Sequence, residues 1–126
     1  MANDFTEIKD ILNEYSTDIQ NEIVSEAERL GKEGAKELRH ISPPNARTGR
    51  YRKGWTSVLE RTFTEVKVTI HNKTAYQLTH LLENGHRLTR NGQLIGNVKA
   101  YPHITPVGEK ISQEFYLNVE QIIGGK

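Results

Sequence analysis

Arg47-Thr48-Gly49-Arg50-Tyr51-Arg52-Lys53-Gly54-Trp55 separates two halves of different character. Before it, apolar residues recur every three or four positions; after it, they begin to alternate. Between Arg39 and Lys53 lie five positive charges (Arg39, Arg47, Arg50, Arg52, Lys53) and no acidic residue. Uncompensated charge on a connection of this length predicts contact with an anion or with an acidic protein surface.

Upstream, Ile8, Leu12, Tyr15, Ile19, Ile23, Ala27 and Leu30 follow Phe5 at helical spacing, with acids between them. This predicts one amphipathic helix over residues 4–39, capped by Asn3 or Asp4, weakened at Gly31 and Gly34 and ended by Pro43-Pro44. Such a helix would be about 50 Å long, against a radius of gyration of about 14 Å for a domain of this size. It is therefore expected to bend near Gly31 or to project towards other subunits. Residues 1–38 carry ten acids and four bases, a local charge of −6, while residues 39–54 carry +5. An acidic limb beside a basic loop suits head-to-tail contact between copies.

Downstream, Trp55, Leu59 and Phe63 share one parity, broken by Val58, and Val66, Val68 and Ile70 alternate with Glu65, Lys67, Thr69 and His71. These predict an antiparallel strand pair joined near Thr62–Thr64. Asn72-Lys73-Thr74 reads as a turn into a short helix from Ala75, ended by Asn84-Gly85 as a left-handed cap. Asn91-Gly92 is a hairpin signal between weakly apolar flanks. Val107, Ile111, Phe115, Leu117, Val119, Ile122 and Ile123 predict a C-terminal helix behind Pro102 and Pro106. The expectation is a single α+β domain over residues 1–126. It comprises a long N-terminal helix (1–39), a basic loop (40–54), a small antiparallel β-sheet (55–71), a short middle helix (74–84), a mobile hairpin or loop (86–99) and a C-terminal helix (104–123).

The chain has 126 residues, 35% of them apolar, no cysteine and a net charge of +1; its mean hydropathy is −0.66. Disulfides and thiolate metal sites are excluded, which suits a reducing cytosol. No apolar run reaches the roughly 18–20 residues of a membrane span and no signal-peptide pattern is present, so a soluble intracellular product without membrane contact is expected.

Catalysis finds little support. The three aspartates all lie within the first 18 residues, and Glu65-Val66-Lys67 has no aspartate before it at nuclease spacing. His80, Glu83 and His86 cannot share one helix face, because the helix ends at Gly85. The histidines read as surface or hinge residues, and no metal or other cofactor is expected. Arg50, Arg52 and Lys53 with Tyr51 and Trp55 do supply the charge and aromatic faces of a single-strand nucleic-acid site. A small nucleic-acid-binding accessory protein using residues 39–54 is accordingly the alternative reading.

The order of these elements resembles the tail-completion, or neck, proteins of long-tailed bacteriophages and prophages, minor virion components between head and tail tube. The resemblance rests on Thr48-Gly49-Arg50 with Arg52 and Lys53, and on Ala75-Tyr76 with Glu83 and Gly85. Asn84 and His86 depart from the family pattern, which has an aromatic and a threonine there. The resemblance implies a non-enzymatic assembly protein of the virion, built in the host cytoplasm and acting in head–tail joining as a ring-like oligomer. It implies partners among copies of itself and neck and tail-tube proteins. It also implies that Arg47, Arg50, Arg52 and Lys53 meet either a neighbour or the double-stranded DNA passing through the lumen.

Overall fold

A computed structural model describes residues 6–42, 49–74 and 79–125, the side chains at 80, 86, 88 and 98 excepted. The elements are β1 (Thr6–Ile11), α1 (Thr17–Ile41), α2 (Arg50–Lys53), β2 (Trp55–Arg61), β3 (Glu65–Asn72), α3 (Thr79–Asn84), β4 (His86–Arg90), β5 (Gln93–Val98) and α4 (Ile104–Gly124). The architecture is α+β, with a long helix near the N-terminus, small antiparallel sheets, a short middle helix and a C-terminal helix.

The helix expected over 4–39 is shorter than its periodicity suggested. Residues 6–11 form a strand antiparallel to β3, and the helix begins only at Thr17, where the Ser16 side chain accepts from the Ile19 N–H. The cap proposed at Asn3 or Asp4 lies outside the described residues. The Ser16 hydroxyl offers the first turn a partner that the middle of a helix would not need. The strand meanwhile gives β3 a second hydrogen-bonded neighbour. At 25 residues, α1 is about 37 Å long, and it packs across its own sheet. The expectation that it projects to find neighbours therefore falls.

Gly31 and Gly34 do not bend α1 away. They let it approach: a Cβ at Gly31 would collide with Cγ1 of Val68, and one at Gly34 would lie 2.6 Å from Cδ1 of Ile70. Ile23, Ala27, Leu30 and Leu38 continue the same buried stripe. Its counterpart is the inner face of β3, where Val66, Val68 and Ile70 are buried. The alternation read from sequence for the strand pair is thus realised, with the turn closed by Thr62 N–H donating to the Glu65 carbonyl at 2.9 Å.

The three-stranded sheet has the order β1-β3-β2, and β4-β5 is a separate two-stranded hairpin. α4 lies antiparallel to α1, joined by Lys110 to Glu37 at 3.0 Å near one end and by Asn118 to Glu26 near the other. Its buried residues Ile104, Val107, Ile111, Phe115 and Val119 close the core, whereas Leu117, off the buried stripe, is exposed. Pro106 falls in the first turn of α4, a position that tolerates proline because the helix has no donor requirement there.

Much of the acidic surface of α1 is already compensated within the molecule. Arg29 pairs with Glu26 and Glu33, each at 2.5 Å, Lys32 with Glu28 at 3.7 Å and Lys110 with Glu37 at 3.0 Å. These exposed pairs add little stability, but they weaken the picture of a bare acidic limb.

Candidate functional site

The basic stretch is half connection and half core. Gly49 takes a left-handed conformation (φ 73°), turning the chain into the single helical turn α2. This turn sets Tyr51 and Trp55 four residues apart on one side, where they are 0% and 1% exposed. Their rings meet edge to face at 5.6 Å, and His103 joins them at 5.6 Å from Tyr51. The two aromatics read from sequence as stacking platforms for nucleic-acid bases are therefore enclosed and cannot serve that role.

Hydrogen bonds tie the stretch to both neighbouring elements. The Ser42 hydroxyl donates to the Leu38 carbonyl at 2.5 Å, ending α1, and accepts from Trp55 Nε1 at 2.8 Å. Arg52 Nε donates to the Ser42 carbonyl at 2.8 Å, and Arg39 Nε to the Trp55 carbonyl at 3.2 Å. Buried Asn72 donates to the Tyr51 carbonyl at 2.6 Å, while the Thr74 hydroxyl donates to the Arg50 carbonyl at 2.9 Å. Two of the five cations thus hold backbone carbonyls at a helix end or strand start. Arg50 and Lys53 remain at the surface. Arg47 and Thr48 lie outside the described residues, as do Ala75 and Tyr76.

Glu83, singled out in the corner motif, has a definite structural task. It is buried; its Oε1 accepts from the N–H groups of His103 (2.7 Å) and Ile104 (2.8 Å), and its Oε2 accepts from that of Thr105 (3.0 Å). Three donors at the start of α4, which no preceding turn can satisfy, end on one carboxylate whose charge also suits the helix dipole. Gly85, left-handed at φ 76°, lets α3 close by donating its N–H to the Leu81 carbonyl at 2.8 Å, as expected for the cap.

Glu83, His103 and Tyr51 form a buried chain whose residue types resemble a proton relay. His103 Nδ1 lies 2.8 Å from the Tyr101 carbonyl, which can only accept, so Nδ1 carries the proton; it also faces Glu83 Oε1 at 3.0 Å. Nε2 then accepts from the Tyr51 hydroxyl at 2.6 Å. Every member is enclosed, and both carboxylate oxygens are engaged by backbone. The chain is a structural lock. His103 accordingly departs from the reading of the histidines as surface or hinge residues. Among the described residues, no group of three or more His, Cys, Asp or Glu could hold a metal ion.

Burial lowers the affinity of His103 for a proton, outweighing the Tyr101 carbonyl and the Glu83 charge. Burial alone would raise the Glu83 carboxyl, but the three backbone N–H bonds together bring it below its ordinary value. Both groups bind protons more weakly folded than unfolded, so stability must fall with pH. The loss starts as pH drops through the unfolded histidine value of 6.5 and deepens below the unfolded carboxyl value of 4.5. Asp10, raised by burial, works in the opposite sense. Melting temperatures recorded from pH 8 to 4 should show the decline, and His103→Asn should flatten its upper part.

Elsewhere, the hairpin has a two-residue turn with Asn91 (φ 52°) and Gly92 (φ 79°) both left-handed, as the Asn-Gly signal predicted. It exposes Leu94 (55%) and Ile95 (60%), and the tip of the β2–β3 turn exposes Phe63 (88%). No helix among the described residues is long and apolar enough to cross a membrane.

A profile of the HK97-gp10-like family, described as "Bacteriophage HK97-gp10, putative tail-component", matches residues 6–85. No curated protein and no solved structure matches significantly. The matched region runs from β1 through the basic stretch to the Glu83–Gly85 corner and covers well over half of the chain. The chain belongs to the HK97-gp10-like family of bacteriophage tail components.

Proposed function

We propose that this protein is a structural component of the virion that acts at the neck or tail end, in head–tail joining or tail completion. It works through contacts with copies of itself and with neck and tail-tube proteins, and it is assembled in the host cytoplasm. The reading is carried by the exposed hairpin. A two-stranded ribbon is marginal in water by itself, and this one presents Leu94 and Ile95 to solvent. Its segment 86–99 also carries Arg87, Arg90 and Lys99 with no acid. A side chain pair of this kind is stabilised by a neighbouring protein surface, and membership in a family of phage tail components supports a tail or neck protein as that neighbour.

The alternative, nucleic-acid binding through residues 39–54, has less support. Tyr51 and Trp55 are enclosed, and Arg39 and Arg52 engage backbone carbonyls. Contact of Arg50 or Lys53 with DNA in a lumen is compatible with the structural role.

Deleting the basic stretch would remove core residues and would not separate folding from function. The informative variant is Leu94→Glu with Ile95→Glu, two exposed positions. It should fold with an unchanged melting temperature and fail to restore infectious particles to a phage lacking the gene. Normal titres from this double variant would contradict the proposal.

A further inference from the structure

We infer that copies of this chain join by pairing the outer edge of β2 in one copy with the outer edge of β1 in the next, parallel and with Asp10 opposite Ser57. This inference rests on the oligomeric reading above and specifies its interface.

The backbone determines which groups face away from β3. Lys73 N–H donates to the Gly54 carbonyl and Thr62 N–H to the Glu65 carbonyl. With the β2–β3 register, residues 56, 58 and 60 therefore direct their backbone groups to β3, and Trp55, Ser57, Leu59 and Arg61 direct theirs outward. The Trp55 carbonyl accordingly meets Arg39 rather than β3. On the other side, Leu12 N–H donates to the Thr64 carbonyl, so Glu7, Lys9 and Ile11 point their backbone groups away from β3. Among the described residues no strand pairs with either edge.

Both outer strands are antiparallel to β3 and hence parallel to each other. A head-to-tail repeat that preserves strand direction, as in a ring about an axis along the strands, must therefore make a parallel junction. In parallel pairing, a residue with outward backbone groups lies opposite one whose groups point away, and the two share a face. Ser57 and Asp10 meet both conditions. Ser57 would donate to the Lys9 carbonyl and accept from the Ile11 N–H.

Side chains favour the same register. It places Ile11 (52% exposed) against Val58 (45% exposed), one exposed apolar residue from each edge, on the face turned away from the helices. On the helix face, Asp10 is partly buried, and among the described residues its carboxylate accepts only from the Ile11 N–H at 2.8 Å. Burial raises its proton affinity. Opposite it would lie the groove of about 460 Å³ lined by Lys32, Lys36, Arg39, Thr56 and Ser57. Lys36 has no ion pair among the described residues, and the two edges thus each supply what the other lacks.

The cysteine-free sequence makes the test direct. β1 and β2 of one copy are separated by β3, about 10 Å apart at two strand spacings, beyond the reach of roughly 7 Å between Cα atoms that a disulfide allows. Ile11→Cys and Val58→Cys proteins, one carrying a mass tag, should be mixed and oxidised at rising concentration, with light scattering on the unmodified chain in parallel. A mixed disulfide joining the two variants, at least about tenfold above that formed with a Gln113→Cys control, is expected from the high effective concentration of aligned strands. Adding Lys32→Glu and Lys36→Glu should abolish the excess. Dominant disulfides between two copies of the same variant would overturn the junction, as would oligomers without mixed product or a chain that stays monomeric throughout. Incorporation of the unmodified chain into tails, measured separately, tells failure of this junction from failure of the functional reading.

Discussion

Glu83→Ala is expected to be among the most damaging single substitutions in the molecule. It removes the acceptor for the N–H groups of His103, Ile104 and Thr105 and leaves the first two buried. A buried donor without a partner costs about 1–3 kcal/mol, so a total of about 2–6 kcal/mol is expected for the two if no water reaches the site. That is comparable to the whole stability of many domains, about 5–15 kcal/mol. The helix that loses its cap is α4, whose inner face closes the core against α1. Glu83→Gln should be milder, because one oxygen can still accept while the amide nitrogen opposes the Thr105 N–H. Urea unfolding of the three proteins gives the comparison. A Glu83→Ala variant within about 0.5 kcal/mol of the parent would mean that the carboxylate is dispensable, within the range of ordinary surface changes.

Trp55→Ala is the second. Emptying a fully enclosed tryptophan site costs about 3–5 kcal/mol, and here it also frees Ser42 Oγ from Nε1 and unpacks Tyr51 and His103. Tyr51→Phe removes only the hydroxyl facing His103 Nε2 and should cost about 1–3 kcal/mol, the range for leaving a buried acceptor without a partner. The ordering matters more than either value. If the stretch were mainly a ligand-facing loop, Trp55→Ala would leave unfolding unchanged and alter only binding.

The sequence made some of this legible and hid the rest for identifiable reasons. Val66, Val68 and Ile70 have one wet face and one dry face, so their alternation survives in the sequence, and the Asn-Gly and Asn84-Gly85 turns carry their own backbone requirement. β1 has no such signal. Of its inner positions Thr6, Ile8 and Asp10 only Ile8 is apolar, and Ile8, Leu12 and Tyr15 fit helical spacing equally well. Ser16 within that run was the sign of a boundary. Gly31 and Gly34 look like helix breakers until the sheet beneath them is known. Arg39 through Lys53 drew attention by charge, yet the buried members are the aromatics between the cations. Glu83 and His103 lie 20 residues apart, and nothing in local spacing announces that one caps the helix beginning beside the other. The Arg47-Thr48 and Ala75-Tyr76 parts of the two motifs fall outside the described residues, whereas Gly49, Arg50, Arg52 and Lys53 of the first and Glu83 and Gly85 of the second have definite places in the fold.

We propose that the molecule serves the particle by joining proteins. Electron microscopy of lysates from a phage or prophage deleted for this gene tests it most directly. Filled heads and separate tails, rejoined when the intact gene is supplied, are the expected result; joined, infectious particles in its absence would contradict the account.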